Sequence, residues 1–307
     1  MAASTPFPYV VFGVSGRTGA AAADALLRAG QAVRVVVRDP VQGRPWAERG
    51  AAVAVADLTD LAAMTAALTQ VQGAYVLSPQ HYHRDDLFAL ADLVAATTAR
   101  AAVAARVPRL VALSSVGADH GSGTGWIGMN RMFEQRLGDS GVATTFLRAA
   151  YFMENWMALV GQALRSGTLP TFLAPPQRRL PMVATVDVGD AAATLLHEEW
   201  TGCRVVTLAG PRHYAPRDVA AAMAATLGKP VDVAVVPESA WPAALAGADF
   251  SDAALAGFAE MTRGLNSGHI DIESDPRARA WAGATPLERV IVELIRRQRS
   301  TPGGLAQ

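Results

Sequence analysis

The segment Val10-Val11-Phe12-Gly13-Val14-Ser15-Gly16-Arg17-Thr18-Gly19, running straight into the alanine-rich residues 20–29, constrains the fold more than any other stretch. It reads as an apolar strand, a turn with glycine at every third position, and a helix start, in that order. Glycine lets the chain turn sharply and lets another group approach the main chain closely. The first amides of a helix have no carbonyl partner within it and favour a negative charge. With the strand before it and the helix after it, such a turn is the expected cradle of a dinucleotide pyrophosphate. The expected contacts are Gly13, Ser15, Gly16, Arg17, Thr18 and Gly19.

The rest of the first half repeats the same rhythm. Apolar, β-rich runs near residues 9–14, 32–38, 52–56, 73–77, 109–114 and 143–148 alternate with helical segments over 17–29, 60–69, 85–106 and 127–139. Strands apolar on both faces and separated by helices imply a parallel sheet covered on both sides. The expected fold is α/β: a Rossmann-like, doubly wound parallel sheet with helices on both faces and a smaller C-terminal α/β subdomain. Ligands then belong at the carboxyl ends of the strands. After residue 150 the rhythm loosens around Pro170, Pro175, Pro176 and Pro181. Strands are expected at 183–186, 204–208 and 231–236, and helices at 188–197, 216–227, 238–245, 252–265 and 286–299. The expected division is 1–150 for the nucleotide-binding domain and 151–299 for a mainly substrate-binding subdomain interleaved with the last strands of the sheet. Residues 300–307 are expected to form a flexible tail.

Charge and cysteine content narrow the partners. Lys plus Arg equals Asp plus Glu at 27 each, so no basic excess points to nucleic acid. One cysteine, Cys203, excludes an internal disulfide framework and fits a reducing, cytoplasmic setting. Neither a secretory leader nor 18 consecutive apolar residues is present, so no membrane span is expected. The remaining expectation is a monomer or homodimer acting on a small molecule.

The second strand ends in Arg38, with Asp39 next. An acid at that place holds a free ribose 2′-hydroxyl, whereas arginine suits a 2′-phosphate. Arg17, inside the glycine turn, is within reach of the same phosphate. The expected cofactor is NADP(H); the alternative is that Arg38 is solvated and Asp39 holds the ribose. Asp57 and Leu58 follow the third strand, where they meet the adenine edge, and Ser78 follows the fourth, beside the adenosine ribose. Read singly, each is also an ordinary turn residue.

The order of these segments resembles the NmrA-like branch of the atypical short-chain dehydrogenase/reductase superfamily. The glycine turn, Val36-Val37-Arg38-Asp39-Pro40, Ala56-Asp57-Leu58, Leu113-Ser114-Ser115, Asp139-Ser140-Gly141 and Phe146-Leu147-Arg148 carry the likeness. So do Phe152-Met153-Glu154-Asn155, Val186-Asp187-Val188-Gly189-Asp190, Gly264-Leu265-Asn266-Ser267-Gly268 and Gly283-Ala284-Thr285-Pro286-Leu287. The resemblance implies NADP(H) and either quinone or dye reduction or nucleotide-sensing regulation without turnover. Classical members of the superfamily use Tyr-x-x-x-Lys on the helix after the fifth strand, one helical turn placing both groups on one face. Counting back from Glu134, the lysine place here falls on Asn130 and the tyrosine place on Trp126. The chain's one lysine, Lys229, lies far from this helix in sequence.

Candidates for the reacting end are Ser115, Asn130, Tyr82 and His81 as polar or hydrogen-bonding groups, with Ser114, Tyr151 and Phe152 flanking the nicotinamide. His81-Tyr82-His83 lacks the further ligands of a metal site, so no metal is expected. Trp126, Phe152, Trp156, Trp241 and Phe258 are expected to wall an apolar, aromatic substrate pocket. The loop holding Gly117, Gly121, Gly123 and Gly125 reads as a mobile cover with His120 exposed. The favoured function is an NADPH-dependent reductase of an apolar conjugated acceptor (quinone, imine or dye). A non-catalytic NADP(H) sensor and an isomerase on the same fold remain as alternatives.

Overall fold

The computed structural model describes residues 8–272 and 277–300; residues 301–307, most of the expected tail, lie outside them. The first half runs β1 (Tyr9–Phe12), α1 (Arg17–Arg28), β2 (Val33–Val37), α2 (Pro40–Ala47), β3 (Ala52–Val55), α3 (Leu61–Leu68), β4 (Gly73–Val76), α4 (Leu87–Ala104), β5 (Leu110–Ser115), α5 (Ile127–Gly138) and β6 (Thr144–Ala149). The second half runs β7 (Tyr151–Phe152), α6 (Met157–Ser166), β8 (Thr168–Thr171), β9 (Leu180–Val183), α7 (Thr185–His197), β10 (Cys203–Ala209), β11 (His213–Tyr214) and α8 (Pro216–Leu227). It continues with β12 (Asp232–Val235), α9 (Trp241–Ala244), α10 (Asp252–Ser267), β13 (Arg279–Ala282) and α11 (Leu287–Ser300).

Eight parallel strands form the main sheet in the order β13-β10-β6-β5-β4-β1-β2-β3. From β1 the chain winds outward through β2 and β3, then returns to β4 on the other side. That reversal opens a crevice at the carboxyl ends of β1 and β4. Side chains alternate across the sheet. Tyr9, Val11, Val35 and Tyr75 face the layer of α1 and α7, whereas Val10, Phe12, Val36 and Val76 face that of α3, α4 and α5. Burial of Leu26, Met64, Leu68 and Leu137 stabilises these layers by about 2 kcal/mol each.

Motifs distant in sequence meet in this packing. Gly189 lets α7 nest on α1, because a Cβ there would strike the Ala21 backbone. One residue on, Asp190 pairs with Arg28 at 2.7 Å. Buried Asp187 accepts hydrogen bonds from the Thr285 amide (3.0 Å) and hydroxyl (2.7 Å), fixing the approach to α11. The second half gives α7, β10 and β13 to the main layers. Helices α6, α8 and α11 pack a separate core around Trp156, Tyr214 and Ile291. Among the described residues, α4 alone is long and apolar enough to cross a membrane. Here it is half buried, and its Asp92 is paired with Arg136 of α5 at 2.8 Å.

Three local readings change. The expected strand over 183–186 stops at Val183 and α7 begins at Thr185. The Glu154 carboxylate accepts hydrogen bonds from the Thr185 amide (2.9 Å) and hydroxyl (2.7 Å), and this holds the helix start. The expected helix over 238–245 is split into a 3-10 turn, Glu238–Ala240, and the short α9, whose Pro242 has no amide to donate. Helix α2 forms across Gly43 and two prolines. Asp39 caps it, Pro40 stands in its first turn, and Trp46 is buried.

Candidate functional site: the crevice at the carboxyl ends of the strands

At the end of β1 the backbone of Gly13 turns through φ +69°, and the Gly16 amide donates to the Gly13 carbonyl at 2.9 Å. Helix α1 then begins without a side-chain cap. The amides of Arg17, Thr18 and Gly19 precede its first internal bond, from the Ala20 amide to the Gly16 carbonyl (3.1 Å). They form the positive end of the helix dipole. Ser15 and Gly16 are exposed at the turn, while the Thr18 side chain is buried close to the Tyr75 hydroxyl. Thr18 therefore offers the crevice its amide, not its hydroxyl.

Arg38 is exposed at the end of β2, and no acid pairs with it among the described residues. The neighbouring Asp39 carboxylate is engaged in capping α2, accepting from the Val41 amide at 2.9 Å. At the end of β3, Asp57 accepts from the Thr59 hydroxyl (2.6 Å) and amide (2.8 Å). These bonds, with smaller help from Arg38 and His81, hold its carboxyl below the usual range. Leu58 packs into the core on the α3 side. Ser78, just past β4, is buried, and its hydroxyl has no partner among the described residues.

One expected site residue is engaged elsewhere. Arg17 does not join Arg38 as a second jaw. Its guanidinium donates to the Glu154 carbonyl at 2.7 Å, tying the glycine turn to the segment after β7. His81 lies in the turn after β4, closed by the Arg84 amide donating to the His81 carbonyl at 3.0 Å, and within electrostatic reach of Arg38 and Asp57. Burial, and then the Arg38 charge, push its imidazole below the ordinary value.

The other half of the crevice lies over β5 and β6. Strand alternation turns Ser114 and Ser115 to opposite faces. Ser114 is buried beneath the site, and its hydroxyl is engaged there, donating to Glu134 Oε1 at 2.6 Å. Arg148 Nε donates to the same oxygen at 2.9 Å and Nη2 to Oε2 at 2.7 Å, while Nη1 lies 3.6 Å from Asp119. Ser115 Oγ donates to the Val116 carbonyl at 3.0 Å and is partly exposed. Asn130 lies one helical turn before Glu134, on the same face of α5, and its amide has no partner among the described residues.

Tyr151 and Phe152 form β7 beside this half. Burial pushes the Tyr151 phenol up to about 12, against opposing pulls from the Asn155 side chain and the Arg17 charge. It remains an O–H donor through neutral pH. The tyrosine place points elsewhere. The Trp126 indole donates to the Ala254 carbonyl at 2.8 Å and stacks on Tyr82 at 3.8 Å. Tyr82 is thus a packing residue under α10, and burial raises its phenol above the ordinary value. Lys229 stands beyond α8, where its amine donates to the Leu164 carbonyl at 3.4 Å.

The aromatic wall is re-drawn. Trp126, Phe250, Phe258, Phe172 and Trp241 run as a chain of ring contacts at 5.1 to 5.9 Å with wider members at 6.2 and 6.5 Å. It ends at an open groove of about 490 Å³ lined by Phe172, Val236, Pro237 and Trp241. Trp156 lies instead in the core around α6, and Phe152 packs on the main-sheet core. The glycine loop is not a loose cover. Gly257 and Gly264 of α10 lie against Trp126 and the Gly123 carbonyl, and the Gly123 amide donates to Glu260 at 2.7 Å. His120 is partly buried, its ring 4.3 Å from that of His269.

The residues present fit a dinucleotide. A Cβ at Gly19 would strike the Gly13 backbone, and among the described residues the Ser78 hydroxyl has no partner and exposed Arg38 no paired acid. The fold and this crevice define a Rossmann-type, dinucleotide-binding α/β protein. The sequence profile of the NmrA-like family matches residues 9–278, and the chain belongs to that family. It is 27% identical to quinone oxidoreductase 2 of Escherichia coli (strain K12) over 270 residues, covering 85% of this chain and 88% of that protein. It is also 27% identical to the NAD(P)H azoreductase of Xenophilus azovorans over 235 residues, 75% of this chain and 78% of that one. The solved NADPH-dependent quinone oxidoreductase of Escherichia coli, complexed with NADPH, superposes with a TM-score of 0.78 at 25% identity, covering 93% of this chain and 99% of that one. The triphenylmethane reductase of Citrobacter sp. shares the fold, with a TM-score of 0.80 at 21% identity, over 94% of this chain and 100% of that one.

Proposed function

We propose that this protein is an NADPH-dependent reductase that passes hydride to an apolar conjugated acceptor such as a quinone, imine or dye. The observation that carries the cofactor choice is local. Asp39 is engaged by α2, which leaves Arg38 without a paired acid among the described residues at the place that discriminates 2′-hydroxyl from 2′-phosphate. The relatives named as quinone, azo and triphenylmethane-dye reductases support the acceptor class. When bound, the dihydronicotinamide supplies the hydride. The first-turn amides of α1 hold the pyrophosphate and Arg38 the 2′-phosphate. The Ser78 hydroxyl bonds the adenosine ribose, and Leu58 borders the adenine.

At the other end, Tyr151, Phe152 and Ser115 border the nicotinamide, and the Asn130 amide donates a hydrogen bond to the acceptor. No Tyr-x-x-x-Lys pair occurs in the sequence, so the acceptor's proton comes from water. One hydride and one proton then reduce a C=N bond, or one hydride and one proton convert a quinone to its hydroquinone. Such acceptors need positioning more than a strong protein acid.

The test joins binding to turnover. NADPH and NADH affinities are measured by fluorescence, and NADPH oxidation is followed at the nicotinamide absorbance across quinones, imines and triarylmethane dyes. The expected result is turnover on part of the panel. Arg38→Ala is expected to weaken NADPH by roughly ten- to a hundredfold, the loss of one or two charge-assisted bonds, with NADH unchanged. NADPH binding with no oxidation on the whole panel would overturn the reductase reading in favour of a nucleotide-sensing regulator. An unchanged NADPH-to-NADH preference in Arg38→Ala would overturn the 2′-phosphate assignment.

A further inference from the structure

Resting on the reading that the crevice holds NADPH with its nicotinamide against Tyr151 and Phe152, we infer that Arg17 is a positioning residue. Through the Glu154 carbonyl it fixes that wall against the pyrophosphate turn, and so governs the rate of hydride transfer rather than the affinity for the nucleotide. Arg17 is the first residue of α1 and is exposed. Its Nη1 donates to the Glu154 carbonyl at 2.7 Å, across 137 positions of sequence. Glu154 belongs to the 3-10 turn Met153–Trp156, which follows directly on β7, the strand of Tyr151 and Phe152. A shift of the Glu154 main chain therefore moves the wall with it.

The bond closes a ring of contacts around the crevice. Helix α1 packs on α7, with Gly189 against the Ala21 main chain. Thr185, the first residue of α7, donates its amide and hydroxyl to the Glu154 carboxylate at 2.9 and 2.7 Å. Glu154 is thus held by its carboxylate from the start of α7 and by its carbonyl from the start of α1. Met153 and Trp156 on either side of it are buried in the core of α6, α8 and α11, and Tyr151 and Phe152 pair with Met182 and Val183 of β9. Without the Arg17 bond, the glycine turn and the wall stay joined by the longer route through α7. The acceptor is main chain, so the tie follows the backbone of the wall and not a rotamer of Glu154. A guanidinium on its long stem suits such a reach, as a charge-assisted donor that stays charged at every working pH. The first-turn amides hold the pyrophosphate whether or not Arg17 reaches Glu154. The nicotinamide hangs beyond it on a rotatable ribose, and a misplacement of about 1 Å slows a transfer on the order of a hundredfold.

The experiment compares the full-length wild type with Arg17→Met, which keeps an apolar stem and removes the donors. Affinities for NADPH and NADH, measured by fluorescence, are expected to stay within about threefold of wild type, with the preference between them unchanged. NADPH oxidation at saturating nucleotide, with the acceptor that the wild type reduces fastest, is expected to slow roughly ten- to a hundredfold. Hydrogen exchange adds a readout without turnover. With and without NADPH, the amides of residues 151–156 are expected to exchange several-fold faster in Arg17→Met, and those of β1 and β5 to exchange alike in both proteins. An unchanged oxidation rate, or equal exchange at residues 151–156, would overturn the role of Arg17. So would an affinity for both nucleotides weakened tenfold or more with the rate intact, which would make Arg17 a phosphate contact. The two failures are separable: a wild type that oxidises NADPH with no acceptor overturns the reductase reading and this inference with it, whereas an active wild type matched by Arg17→Met overturns the role of Arg17 alone.

Discussion

Glu134→Ala is expected to destabilise the protein by about 3 kcal/mol or more, the typical result of breaking a buried ion pair from one side. The carboxylate sits almost fully buried between α5 and the ends of β5 and β6. It accepts from Ser114 at 2.6 Å and from two nitrogens of Arg148 at 2.9 and 2.7 Å. Truncation leaves the Arg148 guanidinium inside the protein with Asp119, 3.6 Å away, as its remaining acid in this network, and leaves the Ser114 hydroxyl without its acceptor. In a chain of this size the loss corresponds to a fall in Tm of roughly 5–10 °C. Replacing both charges, Glu134→Met with Arg148→Met, is expected to recover much of the loss, because no unpaired charge is then buried. Thermal and urea unfolding of the two singles and the double check this. A Glu134→Ala protein within about 0.5 kcal/mol of wild type would show that the pair is not what holds this corner together.

Gly19→Ala is expected to abolish NADPH binding and to cost about 2 kcal/mol, in the range of an overpacked core position. Its added methyl would meet the Gly13 and Phe12 backbone, atoms that cannot rotate away. Relief requires α1 to move off the turn, and the first-turn amides move with it. Gly16→Ala is the informative contrast. A Cβ there meets nothing closer than the Gly13 carbonyl oxygen at 3.3 Å, so the fold is expected to tolerate it. The methyl still stands at the exposed face of the cradle, where the main chain must come close to the pyrophosphate. The expected pattern is near-normal unfolding with binding weakened about tenfold, or roughly 1.4 kcal/mol. Equal binding by Gly19→Ala and wild type would mean that the turn does not hold the nucleotide.

Much of this architecture was legible in the sequence. Runs such as Val33-Arg34-Val35-Val36-Val37 have the period and apolarity of a sheet covered on both faces, and seven of the eight main-sheet strands fall within a few residues of where the pattern puts them. The short second-half strands were harder. β7 and β11 have two residues each and carry no period; they exist because a neighbouring strand is there to pair with them. Helix α2 was hidden by Gly43 and two prolines, and its cap at Asp39 had to be seen before Arg38 stood clear of a partner.

The site divides along the same line. Gly13, Gly16, Gly19 and Arg38 announce themselves because backbone conformation and a strand-end position are encoded locally, within a few residues. The places of Arg17 and Ser114 depend on partners 137 and 20 positions away: the Glu154 carbonyl and the Glu134 carboxylate. Glu134, Arg148 and Glu154 were missed as organising groups, although Arg148 inside the apolar run Phe146–Ala150 was a signal that a buried acid must answer it. Residues 10–58 alone carry a nucleotide cradle and its charge preference. Which charged side chains are already paired emerges with the packed fold, because pairing depends on which loops the folded chain brings side by side.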